Sequence, residues 1–167
     1  MTPNLRIGIL GHGRFGAALA ALIEERGHSW CGWDPVARLP DDHAVADVEA
    51  LLTQSELIIV AVPVDAFAAV LLDLRPRLGS RHQVMDVCSV KQGPCRLMDE
   101  VLGDDVGHVG CHPLFGPLSI ARAEPLRTVL CPSPRHPATA RQVRAFFESL
   151  GSETAEQDPA KIGRAHV

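Results

Sequence analysis

Apolar residues in this chain fall in short unbroken runs, separated by polar stretches that carry glycine and proline. The run LRIGIL at 5–10 ends at a glycine, which is the length and punctuation of a buried strand. Residues 15–26 follow with Ala, Leu and Glu at helix-forming density, and Gly27 closes that helix. The same alternation recurs along the chain. Strands are predicted at 28–33, 57–62 (LIIVAV), 83–87, 107–111 and 127–131. Helices are predicted at 45–53, at 65–74 with Asp65 as N-cap, and at 94–101. PSPRHP at 132–137 reads as a turn, and 138–150 as a last helix with Val143, Phe146, Phe147 and Leu150 at helical spacing.

Strands that alternate with helices and are apolar on both faces build a mostly parallel sheet covered on either side. The expected fold is therefore α/β and doubly wound. GHGRFG at 11–16 sharpens this to a Rossmann-type dinucleotide-binding fold. It follows a predicted strand and opens a predicted helix, with Gly11 for the tight turn, Gly13 for backbone approach to a pyrophosphate and Gly16 for close packing of helix on strand. The helix N-terminus would supply N–H groups and partial positive charge to the diphosphate.

Asp34 ends the second strand at about the 20-residue offset expected of a ribose contact. Its charge would repel a 2′-phosphate, which favours NAD, with NADP as the alternative if Arg14 and Arg38 cradle a phosphate instead. The plainer reading is that Asp34 only caps the turn before Pro35. Arg14 and Phe15 in the loop, and Val62 and Pro63 after the third strand, complete the expected cofactor-binding set.

Composition narrows the partners. The chain has 167 residues, 46% hydrophobic and 22% charged, with a formal charge of −4, so it has no basic footprint for nucleic acid and a small molecule is the expected ligand. No segment approaches the roughly 20 apolar residues of a membrane span, and MTPNLRIGIL lacks the charged start and long apolar run of a signal peptide. A cytoplasmic location is expected. The five cysteines are odd in number and irregularly spaced, which suits reduced thiols, and no histidine cluster has metal-ligand spacing. Residues 162–167, IGRAHV, resemble one reading frame of a common sequencing adapter, and dinucleotide binding is assigned to 1–158.

Two further motifs lie where strands meet loops. DVCSVKQGP at 86–94 leaves the fourth strand, and GCHPLFGP at 110–117 leaves the fifth. Because a residue before proline is held extended, His112 is placed at a strand end with its ring towards the loops. Ligands in open α/β sheets bind outside the carboxyl ends of strands, so Ser89, Lys91 and His112 are candidates to converge beside a cofactor. Cys88 and Cys111 read as small buried fillers. Lys91 is read as a solvated charge and Asp86 as a loop anchor, neither with an assigned chemical role.

With GHGRFG upstream, these two motifs resemble the nucleotide-binding domain of the prephenate and arogenate dehydrogenase family of tyrosine biosynthesis. The resemblance implies an oxidoreductase that oxidises a cyclohexadienol with NAD or NADP, releases carbon dioxide and forms 4-hydroxyphenylpyruvate or tyrosine. It implies His112 as catalytic base and Ser89 as the residue that orients the imidazole or the substrate hydroxyl. It also implies a following helical domain that forms a homodimer and holds the substrate's carboxylates, and this chain stops where that domain would begin. Apolar surface near Phe146, Phe147 and 113–117 is expected to be uncovered as a result. Two other readings stand beside this one: a stand-alone NAD-binding or regulatory module, and another NAD(P) oxidoreductase.

Overall fold

Alternate side chains of strand β1 (Ile7–Leu10) leave the backbone towards opposite faces, and each face is buried. Ile7 and Ile9 join one apolar cluster, with Leu57, Ile59 and Met85 of neighbouring strands. Leu10 joins the other, with Ile58, Val60 and Val84. A strand buried on both faces needs a helical layer on each side, and the computed structural model, which describes residues 4–162, has both.

On the first face lie α1 (Arg14–Glu25) and α6 (Pro137–Ser149), through Leu19, Ile23, Val143, Phe146 and Phe147. On the second lie α2 (Val48–Gln54), α3 (Val64–Leu74) and α4 (Gln92–Leu102), through Leu51, Phe67, Leu71, Met98 and Leu102. A single 3₁₀ turn, Arg75–Arg77, continues α3.

The sheet has seven strands in the order β2-β1-β3-β4-β5-β6-β7. β2 is Trp30–Trp33, β3 Leu57–Val60, β4 Gln83–Asp86, β5 Gly107–Pro113, β6 Leu126–Pro132 and β7 Ser152–Glu156. All neighbouring pairs are parallel except β5 and β6. The doubly wound, mostly parallel Rossmann-type fold expected from the sequence is the fold observed. From β1 the chain goes outward to β2 and returns to β3 on β1's other side, so the switch point lies at the carboxyl ends of β1 and β3.

Several local expectations are corrected. Asp65 is not the cap of α3; Pro63, whose fixed φ suits the position, precedes the helix, and Asp65 lies in its first turn. β5 does not stop at Cys111, because antiparallel pairing with β6 carries it through His112 opposite Val129 and Pro113 opposite Thr128. β7 and the short helices α5 (Pro117–Ala121) and α7 (Pro159–Ile162) were not expected. Phe146 and Phe147 are 1% and 0% exposed, held inside the domain by α6, so they form no uncovered surface. The exposed apolar residues near the second motif are Leu114 and Leu118. Of the adapter-like tail, Ile162 ends α7 and is buried, whereas 163–167 lie outside the described residues.

Candidate active site

Gly11 takes φ +106°, and a Cβ there would stand 2.4 Å from the Ala61 carbonyl oxygen, so this turn excludes other residues on both counts. The turn brings the chain over the end of β3 and into α1. A Cβ on Gly16 would meet the Gly11 oxygen at 2.5 Å, and this closeness lets the helix start tight against the loop. Gly13 differs from both, since nothing lies within 4 Å of a Cβ built there. It opens onto the cleft. Helix α1 begins immediately after it with no side-chain cap and no acid in the first turn, which leaves its first N–H groups and positive end for an anion.

Asp34 faces this loop across the cleft mouth. Its Oδ2 accepts from His12 N at 2.6 Å, and its Oδ1 accepts from Val36 N at 2.8 Å and Ala37 N at 2.7 Å. Partial burial works to raise the carboxyl pKa. The amides of His12, Ala37 and Val36 and the His12 ring outweigh it, so Asp34 is held below its ordinary value. Asp34 thus does cap the turn, and an ionised carboxylate with about four lone-pair sites still has acceptor capacity left on Oδ2.

The cleft over the switch point encloses about 1080 Å³. Its walls include Gly11, Gly13, Arg14, Phe15, Gly16, Asp34, Val62, Pro63, Ser89 and His112, so the expected cofactor-binding set and both residues implied as catalytic border one space, whereas Lys91, the third candidate at the strand ends, does not line it. Arg38, by contrast, is exposed beside Asp41 and lies off the cleft wall. The cleft also runs between α2 and α3, past Val48, Ala66, Ala69, Val70 and Asp73. Residues 66, 69, 70 and 73 share one helical face, and the two alanines leave it hollow; their i, i+3, i+4, i+7 spacing was the available signal.

His112 is 7% exposed and lies within β5, with Pro113 also on the cleft wall. The loop beyond it is pinned by Leu114 N donating to Arg127 O at 2.8 Å. Phe115 packs its ring 6.0 Å from that of Phe15, tying the GCHPLFGP loop to the glycine-loop helix. Among the described residues Arg14 is the one lysine or arginine that lines the cleft.

Lys91 is not a solvated charge. Its side chain is fully buried and donates to the fully buried carboxylate of Asp86. Burial first, and then the Asp86 charge, push the Cys88 thiol up to about 12 and the Cys111 thiol well above its ordinary value. All five cysteines are free.

The sequence profile described as prephenate dehydrogenase, nucleotide-binding domain, matches residues 38–156. The chain belongs to that family. The match begins after the glycine loop and Asp34, so it rests on the part of the chain that holds DVCSVK and GCHPLFGP. Relatives outside the family match as well. A glycerol-3-phosphate dehydrogenase [NAD(P)+] from Pseudomonas savastanoi pv. phaseolicola is 30% identical over 87% of this chain and 49% of its own length. A probable arogenate/prephenate dehydrogenase from Methanocaldococcus jannaschii is 27% identical over 66% of this chain and 25% of its own. The crystal structure of Synechocystis arogenate dehydrogenase superposes with a TM-score of 0.78 at 27% identity, covering 94% of this chain and 61% of that one. The chain therefore spans half or less of the length of these two curated relatives.

Proposed function

We propose that this domain is the cofactor-binding part of an enzyme that oxidatively decarboxylates prephenate or arogenate, with NAD as the preferred cofactor, in tyrosine biosynthesis. The observation that carries the proposal is the single cleft bordered by an uncapped helix N-terminus, Asp34, Ser89 and His112. The residues present fit a dinucleotide: Gly13 leaves room for a diphosphate against the N–H groups of α1, Asp34 retains acceptor capacity for ribose hydroxyls, and its negative charge opposes a 2′-phosphate.

The nicotinamide, when bound, supplies the hydride acceptor. His112 takes the hydroxyl proton as the ring carbon that bears it loses hydride, a task suited to a neutral imidazole near pH 7. Ser89 orients that imidazole or the hydroxyl. The carboxylate then leaves as carbon dioxide, and its bonding electrons pass into the ring, which becomes aromatic, so positioning dominates the later step.

Arg14 alone on the cleft wall is too little to hold a dianionic substrate, which calls for paired cationic donors and a closed pocket. The domain on its own is therefore expected to bind cofactor and to turn over slowly. The glycerol-3-phosphate dehydrogenase relatives support a second reading, oxidation of another secondary alcohol. The match across both later motifs favours the first.

Absorbance of the reduced cofactor separates the two. The full gene product is expected to reduce NAD with prephenate or arogenate and not with glycerol 3-phosphate, and the opposite pattern overturns the proposal.

A further inference from the structure

Two buried charges lie between the loop that carries Ser89 and the strand that carries His112. Asp86 ends β4, and its carboxylate uses both oxygens. Oδ2 accepts from Cys88 N at 3.2 Å and from the Lys91 ammonium, and Oδ1 accepts from Cys111 N at 3.3 Å. Cys88 immediately precedes Ser89, and Cys111 immediately precedes His112. One carboxylate therefore grips the backbone one residue ahead of each candidate catalytic side chain.

The surroundings are built for this grip. Asp86 stands in register with Gly110 of β5, where a Cβ would come 2.4 Å from Cys95 Sγ. The counter-charge comes from Lys91, which is itself fully buried. A buried ion pair is a weak source of net stability against an apolar replacement, so its presence calls for another purpose.

We propose that Asp86, neutralised by Lys91, is a positioning residue that fixes Ser89 and His112 relative to each other. This rests on the catalytic reading of those two side chains given above. The carboxylate is the group suited to the task because it accepts on both oxygens. An asparagine accepts on one and presents a donor at the other, so it keeps one backbone arm and repels the second.

Lys91→Met alone strands the Asp86 charge and is expected to lower the melting temperature by about 10 °C. Asp86→Asn combined with Lys91→Met removes both charges and is expected to recover most of that loss while leaving the dissociation constant for NAD within about twofold. In this chain, ¹H–¹⁵N signals of residues 88–90 and 110–113 should then shift or broaden while the rest hold. In the full gene product, kcat should fall roughly 10- to 100-fold, as a misplacement of about 1 Å does, with KM for NAD little changed.

A merely structural pair predicts that kcat recovers together with melting temperature, and that result, or unchanged signals at Ser89 and His112, overturns the proposal. If the double variant does not fold, hydrogen exchange in the unmodified chain decides: a Cys88 amide that exchanges as fast as an exposed loop amide overturns it, and a protected one supports it. Should the gene product oxidise neither cyclohexadienol, the proposed function fails on its own, and the spectra and exchange still decide whether Asp86 holds the two segments together.

Discussion

Where β1 and β2 end, the cleft is built from backbone: Gly11 turns it, Gly13 opens it, the N–H groups of α1 face it, and Asp34 is held by three main-chain donors. Where β4 and β5 end, it is built from side chains, with His112 and Ser89 on the wall and a buried Asp86–Lys91 pair gripping the segments behind them. The first wall offers main-chain N–H groups and one carboxylate, and the second offers an imidazole and a hydroxyl with a buried ion pair behind them. The prephenate dehydrogenase profile begins at residue 38 and so lies over the second wall, whereas the glycerol-3-phosphate dehydrogenase match extends over 87% of the chain.

The sharpest way to separate the walls is His112→Asn in the full gene product. Turnover is expected to drop roughly 10²- to 10⁴-fold with NAD affinity nearly unchanged, and Ser89→Ala should cost less. Turnover within a factor of a few of the unmodified enzyme would make His112 structural. The converse change is Gly11→Ala, which forces a side chain into a positive-φ turn against the Ala61 carbonyl. It should weaken NAD binding by at least about tenfold and destabilise the domain by about 1–3 kcal/mol, measured by calorimetric titration and chemical unfolding.

Asp34→Asn tests the backbone wall more gently. The preference for NAD over NADP should narrow about tenfold, ~1.4 kcal/mol. Tighter NADP binding by the unmodified domain would point to Arg14 instead.

The smallest effect expected is on acid stability. His12 is held below its ordinary value of 6.5 by burial, against the opposing pull of Asp34, so the unfolded chain takes up that proton first as pH falls. Asp34 is depressed below 3.8, and its contribution, present above that value, is lost as pH drops through the lower folded one. Unfolding free energy should therefore decline slightly between pH 7 and 5 and more steeply below pH 3.8. A flat profile across both windows would show these groups to be uncoupled from folding.

The backbone wall was the more legible in sequence, because φ > 0, close approach and helix starts leave glycines in fixed order. β1 and β3 were legible for a similar reason, since the Ile, Leu and Val runs IGIL and LIIV, buried on two faces, have little else to be. β7 was not, because SETAE is an edge strand with one buried residue and presents mostly polar side chains. Lys91 was misread because its burial goes with a carboxylate five residues away, a pairing that leaves no periodic trace. Phe146 and Phe147 were assigned to a missing interface for want of knowing that α6 packs onto β5 and β6.

The placement of the aromatic residues also makes the domain its own optical probe. The chain has two tryptophans and no tyrosine. Trp30 is buried and stacked 4.2 Å from the His43 ring, whereas Trp33 stands on the cleft wall one residue before Asp34. Emission from Trp33 should therefore respond to whatever enters the cleft, and a reduced nicotinamide bound there should draw excitation energy from it. Occupancy can then be read by light alone, without a label and without turnover.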